Sequence, residues 1–324
     1  MKPGCVSLMA IAGIMIGATA GKSDTPEPRP SDLERGNWGV IQGRVTFSGE
    51  PPAPRVIADP EERITKGRNH QNQVITFSPP QRLKDYEVMA KRGGPITSER
   101  LIVDPRTKGV RNALVYLVKP TAVSDDARRA APKTLRFRAD RGVFVPHVLA
   151  AMQGAKIQVD TDDLLTEAIM VRNPGTKFHV TNTTNDSRLL ADPQDYSCRD
   201  KMSCVFGNYS RDGRTVSSRL EVLPEGGKPI PMPVHEEIHY WMSGWWMVLD
   251  HPYFAVTDEG GNFAIRDVPT GPQEIAVWHE SVATRDPVNS GEWMNPEYVF
   301  QGNVAIENGH PTVKDFVIEP RRLK

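Results

Sequence analysis

Short runs of alternating apolar and polar residues recur along the chain, and clusters of turn residues separate them. Residues 38–47 (WGVIQGRVTF) alternate before the proline-rich SGEPPAP, and residues 156–160 (KIQVD) alternate in the same way. A period of two is that of a strand with one buried face. Further apolar runs at 113–118 and 244–279 are interrupted by the turn sequences DEGGN and VPTGP. Because no segment of three helical turns is convincing, the pattern predicts an all-β protein of sandwich type.

The N-terminal segment has a different composition from the rest of the chain. Lys2 precedes an apolar run from Val6 to Ala20 that ends in an A-x-A pattern. A run of this length with such an end is typical of a cleaved export signal, and it is short for a membrane span. We therefore predict a signal peptide at 1–20, a flexible linker at 21–36, and a periplasmic or secreted protein that leaves the membrane after cleavage. An uncleaved anchor is the alternative.

The charge balance of the chain limits its partners. Lysine and arginine number 40, aspartate and glutamate number 40, and the formal net charge is +0. A nucleic-acid or anionic-membrane partner calls for a basic surface. Neither kind of partner is predicted.

Two cysteines, Cys198 and Cys204, remain after removal of the predicted signal peptide. Cysteine pairs in exported proteins usually form disulfides, so we predict a bridge that closes a small loop within the polar segment 185–230. The alternative is a metal site, although the C-x5-C spacing lacks the C-x2-C pattern of a zinc knuckle.

The segment PMPVHEEIHYWM (231–242) contains the H-E-x-x-H pattern of zinc hydrolases. In such an enzyme His235 and His239 lie one helical turn apart, Glu236 is the general base, and a third ligand follows, for which Glu259 has a suitable spacing. The prolines at the start of the segment and the strand-like sequence after it oppose a helix. A zinc hydrolase is therefore kept as an alternative.

On an extended chain the same residues predict a different site. His235, Glu237 and His239 then share one face, and two imidazoles with a carboxylate can bind zinc or Cu(II). His179 in KFHVTN adds a third imidazole if its strand lies beside this segment. The interpretation without a metal is a solvated strand face.

Aromatic residues and two further histidines complete the set of candidates. Trp241, Trp245 and Trp246 are close in sequence, and they form either a core between domains or a surface platform for a sugar ring or a protein. His147 in VPHVLAA and His279 in VWHE adjoin apolar strand residues. We expect these two histidines to be packed and hydrogen-bonded, not metal ligands.

Two stretches of sequence resemble the carboxypeptidase-regulatory-like, transthyretin-type β-sandwich. WGVIQGRVTF (38–47) and GVRNALVYL (109–117) are similar to its opening strands. YFAVTDEGGNFAIRDVPTGPQEIAVWHE (253–280) is similar to its middle, with a D-x-x-G turn and a P-x-G turn. This pattern is specific to the fold and implies no particular activity.

Two further stretches resemble bacterial cupredoxins, the plastocyanin relatives. FVPHVLAAMQGAKIQVDTDD (144–163) is similar to the strand that precedes their first ligand, and PVHEEIHYWMSGWWMVLDHPYFAVTD (233–258) is similar to their ligand loop. The two resemblances imply two packed Greek-key-type sandwiches. A regulatory-like sandwich at 37–120 and 251–320 would hold a cupredoxin-like sandwich at 134–250, with an insertion at 185–230.

The ligand set that the cupredoxin resemblance implies is incomplete. A type 1 copper site uses two imidazoles, one thiolate and a weak thioether. Here His239 falls on the second imidazole and Met242 on the thioether, but Glu236 stands at the thiolate position. The first imidazole is expected just after DTDD, where residues 164–167 contain no histidine. The implied copper site is therefore degenerate, either lost or remodelled with hard ligands.

These observations predict an exported binding or scaffold protein that is not an enzyme, carries no cofactor, and has a protein or carbohydrate partner. One alternative is a copper-binding or electron-transfer protein that uses His239 and Met242 with remodelled ligands, with copper or zinc as its metal. The other is the zinc hydrolase built on HEEIH.

Overall fold

The computed structural model describes residues 38–59, 61, 63–68, 74–82, 90, 93–161, 168–172, 176–182, 203–207, 218–227, 230–236, 239, 241–280 and 298–320. The predicted signal peptide and linker and Cys198 lie outside these residues. The disulfide is therefore untested, and of Cys204 only the backbone is described, within a strand.

The elements in chain order are β1 (Trp38–Phe47), β2 (Val56–Ala58), β3 (Arg63–Arg68), β4 (Val74–Arg82), β5 (Ile96–Thr97), β6 (Leu114–Leu117), α1 (Asp125–Ala130), β7 (Thr134–Asp140), β8 (Val143–Val145), β9 (Val148–Met152), β10 (Lys156–Thr161), β11 (Ala168–Arg172), β12 (Thr176–Asn182), β13 (Ser203–Gly207), β14 (Ser218–Gly227), β15 (Met232–Glu236), β16 (Ser243–Leu249), β17 (Phe254–Val256), β18 (Asn262–Pro269), β19 (Gly271–His279), β20 (Tyr298–Ile306), β21 (Pro311–Val313) and β22 (Phe316–Ile318). The prediction of an all-β sandwich fold is confirmed. In the described part of the chain, no helix is long and apolar enough to cross a membrane.

The first sandwich is built from the two ends of the described chain, and we call it the terminal sandwich. One sheet has the order β18-β1-β21, with β22 also paired to β1, and the other has the order β17-β6-β19-β20. Strand β1 is antiparallel to β18 and parallel to β21 and β22. Its core contains Ile41, Val45, Val115, Phe263 and Ile275, which are all buried.

The second sandwich, which we call the central sandwich, is inserted between β6 and β17. Its sheets have the orders β12-β14-β10-β7-β8 and β13-β11-β15-β16-β9. The core includes Phe137, whose ring meets the ring of Trp246 edge-on at 5.1 Å, together with Phe144 and Ile157. Trp246 is fully buried.

A third apolar cluster joins the two sandwiches. It contains Leu114 and Trp278 from the terminal sandwich and Val148, Met247 and Leu249 from the central one, among others. Strand β16 contributes to two cores because successive side chains point to opposite faces. Trp246 and Val248 belong to the inner core, whereas Met247 and Leu249 face the terminal sandwich. The four sheets of the two sandwiches thus form one stack.

The segment 55–100 has few apolar residues and scattered proline and glycine, a composition that predicts no regular structure. It contains β2 to β5, with β2 paired to β5 and β3 paired to β4. Ala58 and Ile96 are buried in the core of the central sandwich. The stretch has too few apolar residues to show the alternating pattern of a strand, although some of these apolar residues are part of the core.

Candidate functional site

The segment HEEIH begins in a strand and not in a helix. Strand β15 ends at Glu236 and is antiparallel to β11 and β16. His235 and Glu236 therefore point to opposite faces, and the helical geometry of a zinc hydrolase is not formed. Glu259, the third ligand of that alternative, lies in the turn before β18 with its carboxylate 3.8 Å from the guanidinium of Arg111.

Glu236, His239 and Met242 are joined by backbone hydrogen bonds at the end of β15. The backbone N–H of Met242 donates to the carbonyl of His239 at 2.8 Å, and the N–H of Glu236 donates to the carbonyl of Met242 at 3.2 Å. All three residues are 0 % exposed. The structure thus places the three aligned loop positions at one buried spot.

The carboxylate of Glu236 is paired with His239. One carboxylate oxygen accepts the backbone N–H of His239, and the same oxygen, Oε2, lies 3.0 Å from Nδ1 of the imidazole. The imidazole meets the ring of Trp241 edge-on at 5.3 Å. A buried carboxylate with these contacts is compensated by hydrogen bonding and by an imidazole. Glu236 and His239 therefore form a buried carboxylate–imidazole pair.

The other sequence-predicted ligands do not join this pair. His235 is buried but lies on the opposite face of β15 from Glu236. His179 is in β12, which pairs with β14 in the other sheet of the central sandwich, so its strand does not lie beside β15. The solvated strand face does not fit His235 and His239, which are both buried, and Glu237, its third member, lies outside the described residues.

No group of three or more His, Cys, Asp or Glu side chains that could hold a metal ion is present among the residues that the structure describes. Residues 162–167, where the first imidazole of a copper site was expected, lie outside that part of the chain.

The tryptophans do not form an exposed platform. Trp241 and Trp246 are buried in the core of the central sandwich. Trp245 is half-buried and meets the ring of Trp278 at 5.0 Å, across the boundary between the sandwiches. Neighbouring residues in a strand point to opposite faces. Trp246 therefore lies in the core of the central sandwich, and Trp245 lies at the interface.

A second cluster of polar side chains lies at the boundary between the sandwiches. Nε2 of His147, just before β9, is hydrogen-bonded to Oε1 of Glu280, which follows β19. Trp245 donates its indole N–H to Oε2 of Glu280 at 2.8 Å. Nδ1 of His147 lies 3.8 Å from a carboxylate oxygen of Glu99. As predicted, His147 and His279 are buried and hydrogen-bonded, but Glu99 and Glu280 were missed.

The electrostatics of this cluster favour an ion pair. Burial lowers the pKa of His147, but the charge and hydrogen bond of Glu280, with the charge of Glu99, outweigh it and leave the pKa raised. Burial raises the pKa of Glu280, yet the neighbouring imidazole outweighs that effect and leaves it lowered. His279 has a lowered pKa, mainly because of burial. His147 and Glu280 therefore favour opposite charges.

A small cleft lies beside His147 and Met242. It is lined by Thr97, Glu99, His147, Trp241, Met242 and Ser243, among others, and its volume is about 10 Å³. That is about the space of one water molecule. The side chain of Met242 also packs in the apolar core of the central sandwich.

No protein-family model matches the sequence, and no curated protein sequence matches it either. Solved structures similar to part of the chain are cupredoxins. An oxidised amicyanin variant is 7 % identical, covers 42 % of this chain and 98 % of its own, and has a TM-score of 0.23. The reduced auracyanin from the photosynthetic bacterium Roseiflexus castenholzii is 14 % identical over 37 % of this chain and 99 % of its own, with a TM-score of 0.24. Auracyanin B is 10 % identical over 42 % of this chain and 97 % of its own, with the same TM-score of 0.24.

Proposed function

We propose that the chain is an exported, non-enzymatic binding or scaffold protein in which a buried carboxylate–imidazole pair stands where a type 1 copper protein has its thiolate. The observation that carries the proposal is the pairing of Glu236 with His239, both 0 % exposed, with Oε2 and Nδ1 3.0 Å apart. A carboxylate cannot supply the Cu–thiolate bond on which blue copper chemistry rests.

The surroundings of this pair support a binding role over a catalytic one. Both side chains are enclosed, and the nearby cleft has room for about one water molecule. Among the residues that the structure describes, the carboxylate is enclosed, and we therefore expect no substrate to reach it. The partner we propose is a protein or a carbohydrate that binds to the outer surface of the stacked sheets.

Addition of Cu(II) to the wild-type protein should give no intense absorption near 600 nm, the approximate region of Cu–thiolate charge transfer. The double variant Glu236→Cys with Thr166→His should gain such a band, because it supplies a thiolate and, by the sequence alignment, the first imidazole. Visible spectra recorded during copper titration measure both effects.

The matched control is Glu236→Ser with Thr166→His, which offers no thiolate and should stay colourless. Intense blue colour in the wild type would overturn the proposal. So would stoichiometric metal in protein purified from its own host compartment.

A metal-binding protein is the second candidate, because one observation favours it. A metal ion bonded to nitrogen and oxygen ligands at about 2.1 Å can bridge two atoms that are 3.0 Å apart. Equilibrium dialysis with Zn²⁺ tests this candidate. Binding that is lost in Glu236→Gln but kept in Glu259→Gln, which removes an exposed carboxylate, would replace the scaffold proposal.

A further inference from the structure

His147 lies at a point where three segments of the chain meet. It precedes β9 of the central sandwich, and its imidazole faces Glu280 after β19 and Glu99 after β5. Every group named here accepts hydrogen bonds, and only the protonated imidazole has an N–H on both nitrogens. The surroundings therefore fit the charged form of His147.

Glu280 links the two sandwiches through both of its carboxylate oxygens. Oε1 is bonded to the imidazole of His147, and Oε2 accepts the indole N–H of Trp245. Both partners belong to the central sandwich, whereas Glu280 follows a strand of the terminal sandwich. His279, the neighbouring titratable group, uses Nδ1 at the backbone carbonyl of Glu280. One buried carboxylate thus receives two contacts from across the interface.

The cost of breaking this arrangement is set by burial. His147 and Glu280 are both almost fully buried, and the apolar side chains of the interface, including Trp278 and Val148, form the adjoining cluster. Removing the charge of one partner leaves the other as an uncompensated buried charge, which is strongly destabilising. Neutral His147 would leave the carboxylate of Glu280 without its cation.

We propose that protonated His147 is a clamp between the two sandwiches, and that loss of its proton loosens their interface. This inference concerns the junction of the sandwiches and does not depend on the pair formed by Glu236 and His239. The contact depends on pH because imidazole is the side chain that titrates in the physiological range.

The direction of the pH dependence follows from the two shifts. His147 has a raised pKa, so its contribution is full below the ordinary value of 6.5 and is lost as pH rises through the folded value. Glu280 has a lowered pKa, so its contribution is full above the ordinary value of 4.5 and is lost as pH falls through the folded value. The clamp is closed between pH 4.5 and 6.5, and it opens as the pH rises through the raised pKa of His147.

Opening should be visible in the tryptophans of the interface. Trp245 loses its acceptor on Glu280 and its edge contact with Trp278, whose ring is now 5.0 Å away. Tryptophan fluorescence and near-ultraviolet circular dichroism of the full chain, measured from about pH 5 to 9, should show one transition with a midpoint above the ordinary histidine pKa of about 6.5. Small-angle scattering should show expansion over the same interval.

Three variants decide whether His147 causes this transition. His147→Gln should abolish it, and the exposed His310→Gln should leave it unchanged. Glu99→Gln keeps the bond between His147 and Glu280 but removes the second carboxylate near the imidazole. The midpoint should therefore fall measurably, by up to about one pH unit. If His147→Gln does not fold, the shift in Glu99→Gln decides the question. A wild-type protein without the transition, a transition that persists in His147→Gln, or an unchanged midpoint in Glu99→Gln would overturn the proposal.

Discussion

Trp246→Ala should lower the free energy of unfolding by about 3–5 kcal/mol, the usual range for truncation of a large aromatic residue in a core. Trp246 is fully buried in the central sandwich and meets the ring of Phe137 edge-on. Truncation removes these contacts and leaves a cavity that the strands of two paired sheets cannot fill. Urea denaturation of the full chain, followed by circular dichroism, measures the change.

The control for this variant is Val317→Ala, which shortens a side chain that is 51 % exposed. Its effect should stay within about 0.5 kcal/mol, as for most surface substitutions. A loss below about 1 kcal/mol in Trp246→Ala would contradict the central position that the structure gives this residue.

Gly109→Ala should destabilise the terminal sandwich by about 2 kcal/mol or more, the scale of overpacking in a closely packed region. A Cβ at Gly109 would lie 1.9 Å from the carbonyl oxygen of Gly260, and Gly261 is in contact from the same turn. The obstructing atoms belong to the backbone, so no rotation of a side chain relieves the clash. The turn at 258–262 would have to move away from β1, to which Gly261 and Val110 are hydrogen-bonded.

The matched control is Gly302→Ala in β20, because a Cβ there meets nothing within 4 Å. It should be neutral or stabilise by about 0.5 kcal/mol, since alanine restricts the unfolded chain. Thermal unfolding of both variants gives the comparison. Equal melting temperatures for Gly109→Ala and the wild type would show that the two glycines do not meet.

Periodicity predicted the strands whose two faces differ. Strand β1 and strand β10 alternate in sequence, and the structure has both. Periodicity could not predict that Trp246 lies in the core and Trp245 at the interface. Both faces of β16 are buried, and its sequence is apolar on each side. Segments such as β2 and β5 contribute few core residues. Their hydrophobic pattern was therefore too weak to distinguish a strand from a loop.

The candidate site was predicted only as far as it is local in sequence. The prolines before HEEIH indicated a strand, and Glu236 and His239 are three residues apart, so their meeting needed only a turn. His147 and Glu280 are separated by 133 residues and meet only because the two sandwiches stack. Glu280 also follows the apolar end of β19, where a buried carboxylate is not expected unless its partners are known.

The interruption of the terminal sandwich has a consequence for chain entropy. His251 donates from Nε2 to the carbonyl of Leu117 at 3.0 Å, although the two residues are 134 positions apart. The central sandwich therefore leaves and rejoins the terminal one at nearly the same point. Loop-closure free energy grows only with the logarithm of length, by about 0.6 kcal/mol for each doubling. Replacing a short β6–β17 turn by a folded sandwich lengthens the connection by only a few doublings. The resulting loss of free energy of folding is small enough for the shared apolar interface to offset.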